Sequence, residues 1–235
     1  MLKSLFLVLL AVCLFPVSLF GRTDSLPGKY LSLGTRTAGI CFGNAPVYTG
    51  FKFNLINRYT KRTNILDVCF FSLGKDSLYT TNGLSLMLTA GAQHKSNGMI
   101  ITPIGSLTDI ENGIALNGLV NIFDKLNGYG FSYVMLGDTI NGLATSFILF
   151  SRKRSDIQRS RINGVAIGVW VISFGEVRGL SVSMQNSTKV HKGLSVGVYN
   201  KTEKLKGIQV GLYNVAMNNP RGLRRLPLLN MHFGK

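Results

Sequence analysis

From Gly83 onward, bulky apolar residues occupy every second position in short runs, and each run is opened by a glycine that follows Asn, Lys or Arg. After Gly193, Leu194, Val196 and Val198 alternate with Ser195, Gly197 and Tyr199; after Gly207, Ile208, Val210 and Leu212 alternate with Gln209, Gly211 and Tyr213. The runs after Gly164 (Val165, Ile167, Val169, Val171) and Gly179 (Leu180, Val182, Met184) repeat the pattern. A period of two belongs to a β-strand with one apolar face. The opening glycines, Gly83, Gly98, Gly113, Gly128, Gly142, Gly164, Gly179, Gly193, Gly207 and Gly222, are 15, 15, 15, 14, 22, 15, 14, 14 and 15 residues apart. So short and constant a period predicts an array of small β units that bury their surfaces on one another. The pattern continues backward less regularly, through Phe51, Phe53 and Leu55 and through Leu66, Val68 and Phe70.

The expected fold is all-β, with about twelve short strands built from 14–15-residue repeats. The Asn-Gly pairs at 82–83, 97–98, 112–113, 127–128, 141–142 and 163–164 supply residues that accept positive φ, as a tight reversal requires. Reversal at every unit predicts an antiparallel meander closed into a β-barrel, which removes its edges. In an outer membrane such a barrel would turn its apolar face to lipid and its Gly/Ser/Gln/Tyr face inward. The alternative is a β-solenoid with one repeat per turn. It is favoured by Asn57, Asn186, Asn200 and Asn214, which share one slot seven residues past the unit's glycine and would stack as a ladder. A soluble β-sandwich also fits. In each case the bulky set, with Val196 and Val210, is expected to form a stripe that fixes the sheet, so that a charge there should prevent folding.

Residues 1–21 read as a secretory signal peptide: Lys3, an apolar run from Leu5 to Phe20 and a small-residue exit at Gly21. Leu10-Ala11-Val12-Cys13 is a weaker lipobox-like match. The remainder, 22–235, is expected to form a single β-repeat domain, regular from about residue 83. Lys and Arg number 26 against 10 Asp and Glu, a formal net charge of +16, which attracts polyanions of any kind. Nucleic acid is not the expected partner, because the cations sit mainly between repeats without interleaved aromatics. The expected partners are the outer membrane or anionic envelope components. The longest connection, Ser151 to Arg161, carries five cations and is expected to be an exposed loop. Cys41 and Cys69 could pair in an exported chain or serve as small buried residues.

No catalytic, cofactor-binding or metal site is predicted, and no cofactor. Gly193-Leu194-Ser195-Val196-Gly197 matches Gly-x-Ser-x-Gly, but that motif needs a sharp strand-to-helix turn, whereas here the strand pattern continues. His94, His191 and His232 lack ligating neighbours at metal spacing, and carboxylates such as Asp109, Glu111, Asp124, Asp138 and Glu176 fall singly. Tyr199, Tyr213 and Trp170 suit an interfacial aromatic girdle, a sugar-stacking surface or, most simply, packing between neighbouring strands.

The segment Gly193–Phe233, with Gly-Leu-Ser-Val-Gly-Val-Tyr-Asn, Gly-Ile-Gln-Val-Gly-Leu-Tyr-Asn and Leu-Pro-Leu-Leu-Asn-Met-His-Phe, resembles the bacterial surface-repeat proteins of spirochaetes and Bacteroidota. The resemblance is looser back to about Gly83. It implies an exported, surface-associated protein without a catalytic role, and it carries over no functional residues. The function expected is a non-enzymatic cell-surface or outer-membrane protein with a structural or display role. The alternatives are a small outer-membrane pore, or a soluble periplasmic solenoid that binds acidic glycans or lipids.

Overall fold

Strand follows strand in one direction, each paired in register with the turn before it, so the chain winds as a β-solenoid and not as a barrel. The computed structural model describes residues 29–73, 79–151 and 160–234. The signal segment 1–21 and most of the predicted 151–161 loop, residues 152–159, lie outside the described residues. The order is β1 (Tyr30–Gly34), β2 (Ala38–Gly43), β3 (Val47–Asn57), β4 (Arg62–Leu73), β5 (Thr80–Met87), β6 (Ala90–Thr102), β7 (Gly105–Asn117), β8 (Val120–Ser151), β9 (Arg161–Ala216) and β10 (Arg225–His232). β2 through β9 pair in parallel, each with the next. Where twelve short strands between reversals were expected, β8 and β9 run uninterrupted round more than one turn.

The repeat glycines explain the difference. Gly39, Gly50, Ile65, Gly83, Gly98, Gly113 and Gly128 are register partners in succession, as are Gly142 and Gly164. They do take positive φ, Gly113 at 124°, but the chain bends there without turning back. A Cβ on Gly113 would lie 2.1 Å from the carbonyl oxygen of Gly98, so the stacking distance itself demands glycine. The preceding asparagines are not turn residues either. Asn82 donates to Asn64, Asn97 to Asn82, Asn112 to Asn97, Asn127 to Asn112, Asn141 to Asn127 and Asn163 to Asn141, with Nδ2···Oδ1 distances of 2.7–2.8 Å. A carboxamide carries both donor and acceptor, so identical side chains in parallel register satisfy one another without end. An antiparallel meander would send alternate asparagines to opposite ends. The anticipated inner slot also forms a ladder, Asn186 to Asn200 to Asn214 at 2.8 Å per step, while Asn57 bonds elsewhere.

The small or polar alternates point inward and the bulky ones outward, so the bulky set is not a buried stripe. Ser181, Ser195 and Gln209, the small or polar alternates, are fully buried, whereas Ile167, Val198 and Val210 are exposed. The two walls of a turn close on each other, and the lumen admits small side chains along its narrow parts. It is apolar in the middle, where Phe123, Leu126, Met135, Ile140, Leu149, Ile162, Val171 and Val177 pack together; towards the β1 end smaller apolar clusters (Cys41, Ala45 and Tyr48; Cys69, Met87 and Ile100) alternate with buried polar residues, and towards the β10 end Ser, Asn and Gln predominate.

Both ends of the stack are covered by reversed strands. β1 pairs antiparallel with β2 at one end, and β10 pairs antiparallel with the last turn of β9 at the other, with a bulge between Leu226 and Leu228 around Pro227. Proline lacks an N–H and is tolerated at such an edge. The parallel ladder is thereby closed against further addition.

Candidate functional surfaces

The outer surface divides by columns counted from the stacking glycine. The first, third, fifth and sixth residues after it point outward, the fifth and sixth together because the chain turns a corner there. The first column contains Phe51, Leu66, Leu84, Met99, Ile114, Tyr129, Leu143, Val165, Leu180, Leu194 and Ile208. The third contains Phe53, Val68, Leu86, Ile101, Leu116, Phe131, Ile167, Val182, Val196 and Val210, with Thr145 between. The corner adds Leu55, Phe70, Leu88, Phe147, Met184, Val198 and Leu212, followed by Ile56, Ile104, Leu119, Ile148, Trp170, Tyr199 and Tyr213. No charged residue stands in these four columns among the described residues. In a chain of net charge +16 this is a sharply segregated surface.

The three aromatics singled out in the sequence lie on that corner. Tyr199 and Tyr213 stack at 5.8 Å between ring centres, and Trp170 meets Phe147 edge-on at 5.3 Å, with Tyr133 stacked on Phe147 at 4.8 Å. Tyr199 and Tyr213 are equivalent residues of adjacent turns, and Trp170 packs on the residue before its register partner Ile148, so all three pack between neighbouring turns, the simplest of the expected readings.

The opposite side is mixed: Leu107 and Phe174 are exposed there, 51% and 56%, beside the chain's cations. Three residues before the glycine column stand, in successive register, Arg62, Thr80, Lys95, Ile110 and Lys125, then Thr139 and Arg161. Cations thus recur at alternate turns, about 10 Å apart at 4.8 Å per turn. At one end of this row Lys61, Arg62 and Lys95 surround a shallow cleft floored by Thr80, Asn82 and Asn97. Further along, the charge is balanced: His94 contacts Asp109 at 2.7 Å, and Glu176 binds Lys192 at 2.6 Å and Arg178 at 3.0 Å. The Arg178 hydrogen bond, with Lys192 beside it and against partial desolvation, holds the Glu176 carboxyl at about 2.

Ser195, His191, Glu111, Cys41 and Cys69 lie inside the turns. Ser195 of the Gly-x-Ser-x-Gly motif is 1% exposed and donates to Asn200 Oδ1 at 2.8 Å, on a continuous strand. His191 is buried, and desolvation pushes it down to about 4. Glu111 is buried against Asn121 and Ser106, and desolvation, partly offset by those hydrogen bonds, raises it to about 7. Cys41 and Cys69 are free thiols in the lumen; burial pushes Cys69 up to about 12. No cluster of three or more His, Cys, Asp or Glu at metal-binding distance occurs among the described residues. The residues that sequence reasoning missed are the outer asparagine ladder and a buried cluster around Lys52 and Asp67. The signal for the cluster was present: Lys52 stands in the alternating phase that points away from Phe51 and Phe53.

No protein-family model, no curated protein and no solved structure matches this chain. The resemblance to bacterial surface-repeat proteins therefore rests on the quoted residues.

Proposed function

We propose that this protein is a non-enzymatic, exported β-solenoid of the bacterial cell envelope, which lies with its apolar outer face on an anionic membrane surface and displays its remaining faces. The observation that carries the reading is the outer face without a charge. At about 3.3 Å per residue and 4.8 Å per turn it covers on the order of 1,000 Å², well beyond the patch a monomer ordinarily exposes to water. Cations border it on both sides: Arg178, Lys192 and Lys206 directly before the glycine column, Arg58 and Lys201 just past the far corner. An apolar bed with a basic rim is the arrangement that peripheral membrane elements use against anionic headgroups. The leader at 1–21 and the resemblance support export, and no helix among the described residues is long and apolar enough to cross a membrane.

The test is co-sedimentation of the purified chain with phosphatidylglycerol-containing vesicles, beside light scattering without lipid. Binding that weakens with salt and is lost in Met184→Lys/Leu212→Lys supports the reading. A dimer that ignores vesicles would assign the face to a second copy instead, and a lipid-indifferent monomer would overturn both. Membrane fractionation with surface proteolysis would locate the protein and test whether 151–161 is accessible.

A second reading has its own observation, the row of cations at alternate turns with the cleft at Lys61, Arg62 and Lys95. An extended acidic glycan with one carboxylate per disaccharide repeats its charge at a similar interval. Calorimetric titration with a linear glycan of alternating uronate and neutral sugar, against Lys95→Gln/Lys125→Gln, tests it: loss of binding in the variant supports this reading, and equal binding overturns it.

A further inference from the structure

The second residue after the stacking glycine and the seventh face each other across the lumen of one turn. In two turns this places a serine hydroxyl on an asparagine, Ser181 on Asn186 and Ser195 on Asn200, each donating to Oδ1. In β3 the same two positions hold Lys52 and Asn57, and Lys52 Nζ donates to Asn57 Oδ1 at 3.0 Å. Directly in register with Lys52 on the next turn is Asp67. Its Oδ2 accepts a hydrogen bond from Asn57 Nδ2 at 2.8 Å, and its Oδ1 lies 3.6 Å from Lys52 Nζ. Lys52 is 0% exposed and Asn57 and Asp67 are each 1% exposed, beside Tyr79 and Thr60, which also hydrogen-bond into the cluster. An amine, a carboxamide and a carboxyl group are thus enclosed together, the carboxyl touching both partners. The serine turns share the first two elements and lack the third: Asp67 stands in register between Lys52 and Ser85, far along the stack from Ser181 and Ser195.

We infer that Lys52 and Asn57 are joined by a self-formed isopeptide bond, with Asp67 as the proton shuttle. The ammonium of Lys52 passes a proton to Asp67. The free amine then adds to Asn57 Cγ, forming the Nζ–Cγ bond. Asp67 returns the proton to Nδ2, the Cγ–Nδ2 bond breaks, and ammonia leaves, taking up the second proton released from Nζ as ammonium. The products are a secondary amide, ammonium and an ionised Asp67, so charge and atoms balance with no oxidant or co-reactant. Enclosure supplies the two conditions the step needs. Contact geometry replaces a bimolecular encounter, and burial lowers the Lys52 pKa against the opposing pull of Asp67, which favours the nucleophilic amine. The bond would tie the two walls of one turn together near the β1–β2 end of the solenoid.

The purified full chain, denatured and digested with trypsin, tests this directly. An amide on Nζ blocks cleavage after Lys52, so the expected product is the peptide Thr37–Arg58, about 17 Da lighter than its sequence by the mass of ammonia, with no backbone fragment ions between 52 and 57. Release of Phe53–Arg58 at its full mass would overturn the inference. A 17-Da deficit confined to Phe53–Arg58 would mark a succinimide at Asn57 and overturn it equally. In Asp67→Asn, which keeps the shape of the group and removes the acid, cleavage at Lys52 should return at full mass; persistence of the light, uncleaved peptide would remove Asp67 from the reaction.

Discussion

Single positions in this protein carry opposed consequences of the same narrow lumen. Glu111 and His191 are both buried, and both are pushed toward their neutral forms. Glu111 is raised from 4.5 to about 7, so its contribution to stability is full below pH 4.5 and is lost as pH rises through 7. His191 is lowered from 6.5 to about 4, so its contribution is present above pH 6.5 and is lost as pH falls through 4. Each amounts to roughly 3 kcal/mol across its window, and the two oppose. The native chain should therefore show a flat urea midpoint from pH 4.5 to 6.5, whereas Glu111→Gln should grow more stable over that interval. A parallel pH profile in the variant would refute the assignment. Ile65 is a second such position: it replaces glycine in the stacking column at φ 87° with a side chain 55% exposed. Ile65→Gly should raise stability by about 1 kcal/mol, because strain is relieved and little burial is lost. Thermal unfolding measures it.

At the scale of the turn, register turns identical residues into ladders and sets which alternates face inward. Asn112 donates to Asn97 and accepts from Asn127, so Asn112→Ala interrupts the outer ladder in mid-stack. The loss should be about 1–2 kcal/mol, read from the denaturant midpoint. The inversion of faces is tested by a matched pair. Val210 is 40% exposed and Ser195 is 1% exposed. Val210→Asp should fold and cost under about 1 kcal/mol, as exposed substitutions do, while Ser195→Leu should cost about 1–3 kcal/mol by overfilling the lumen. The opposite ranking would restore the face assignment expected from hydrophobicity alone. At the corner, two consecutive outward residues such as Val169 and Trp170 shift the phase of alternation, so Val171 turns inward.

For the whole molecule the decisive feature is that stacking creates edges only at its two ends. β10 covers the last turn through Arg225–Val215 to His232–Gly207. Removal of residues 225–235 should leave that ladder open and produce end-to-end assembly with concentration, visible by size-exclusion chromatography. Along the sides, the same stacking aligns apolar residues from every turn into one outer face and leaves the cations to the rims and the opposite side. That segregation makes a membrane-attached envelope scaffold the favoured reading, and vesicle binding its test.

The period of 14–15 residues, the strand alternation and the glycine column were all legible along the chain, because each reflects a local backbone requirement that recurs with every unit. The inner asparagine slot was legible as well, and it pointed to the solenoid. Tertiary structure alone decided that successive strands run parallel, that the asparagines before the glycines stack outside, and that the bulky alternates face outward. Those outcomes depend on how far apart the walls of a turn stand. The second column after the glycine is buried and holds Ser85, Ile100, Ala115, Ala166, Ser195 and Gln209, so the space shared with the opposite wall of each turn decides which side chain fits there. The same constraint enclosed Lys52 with Asn57 and Asp67, three residues whose meeting requires the closure of one turn and the register of the next.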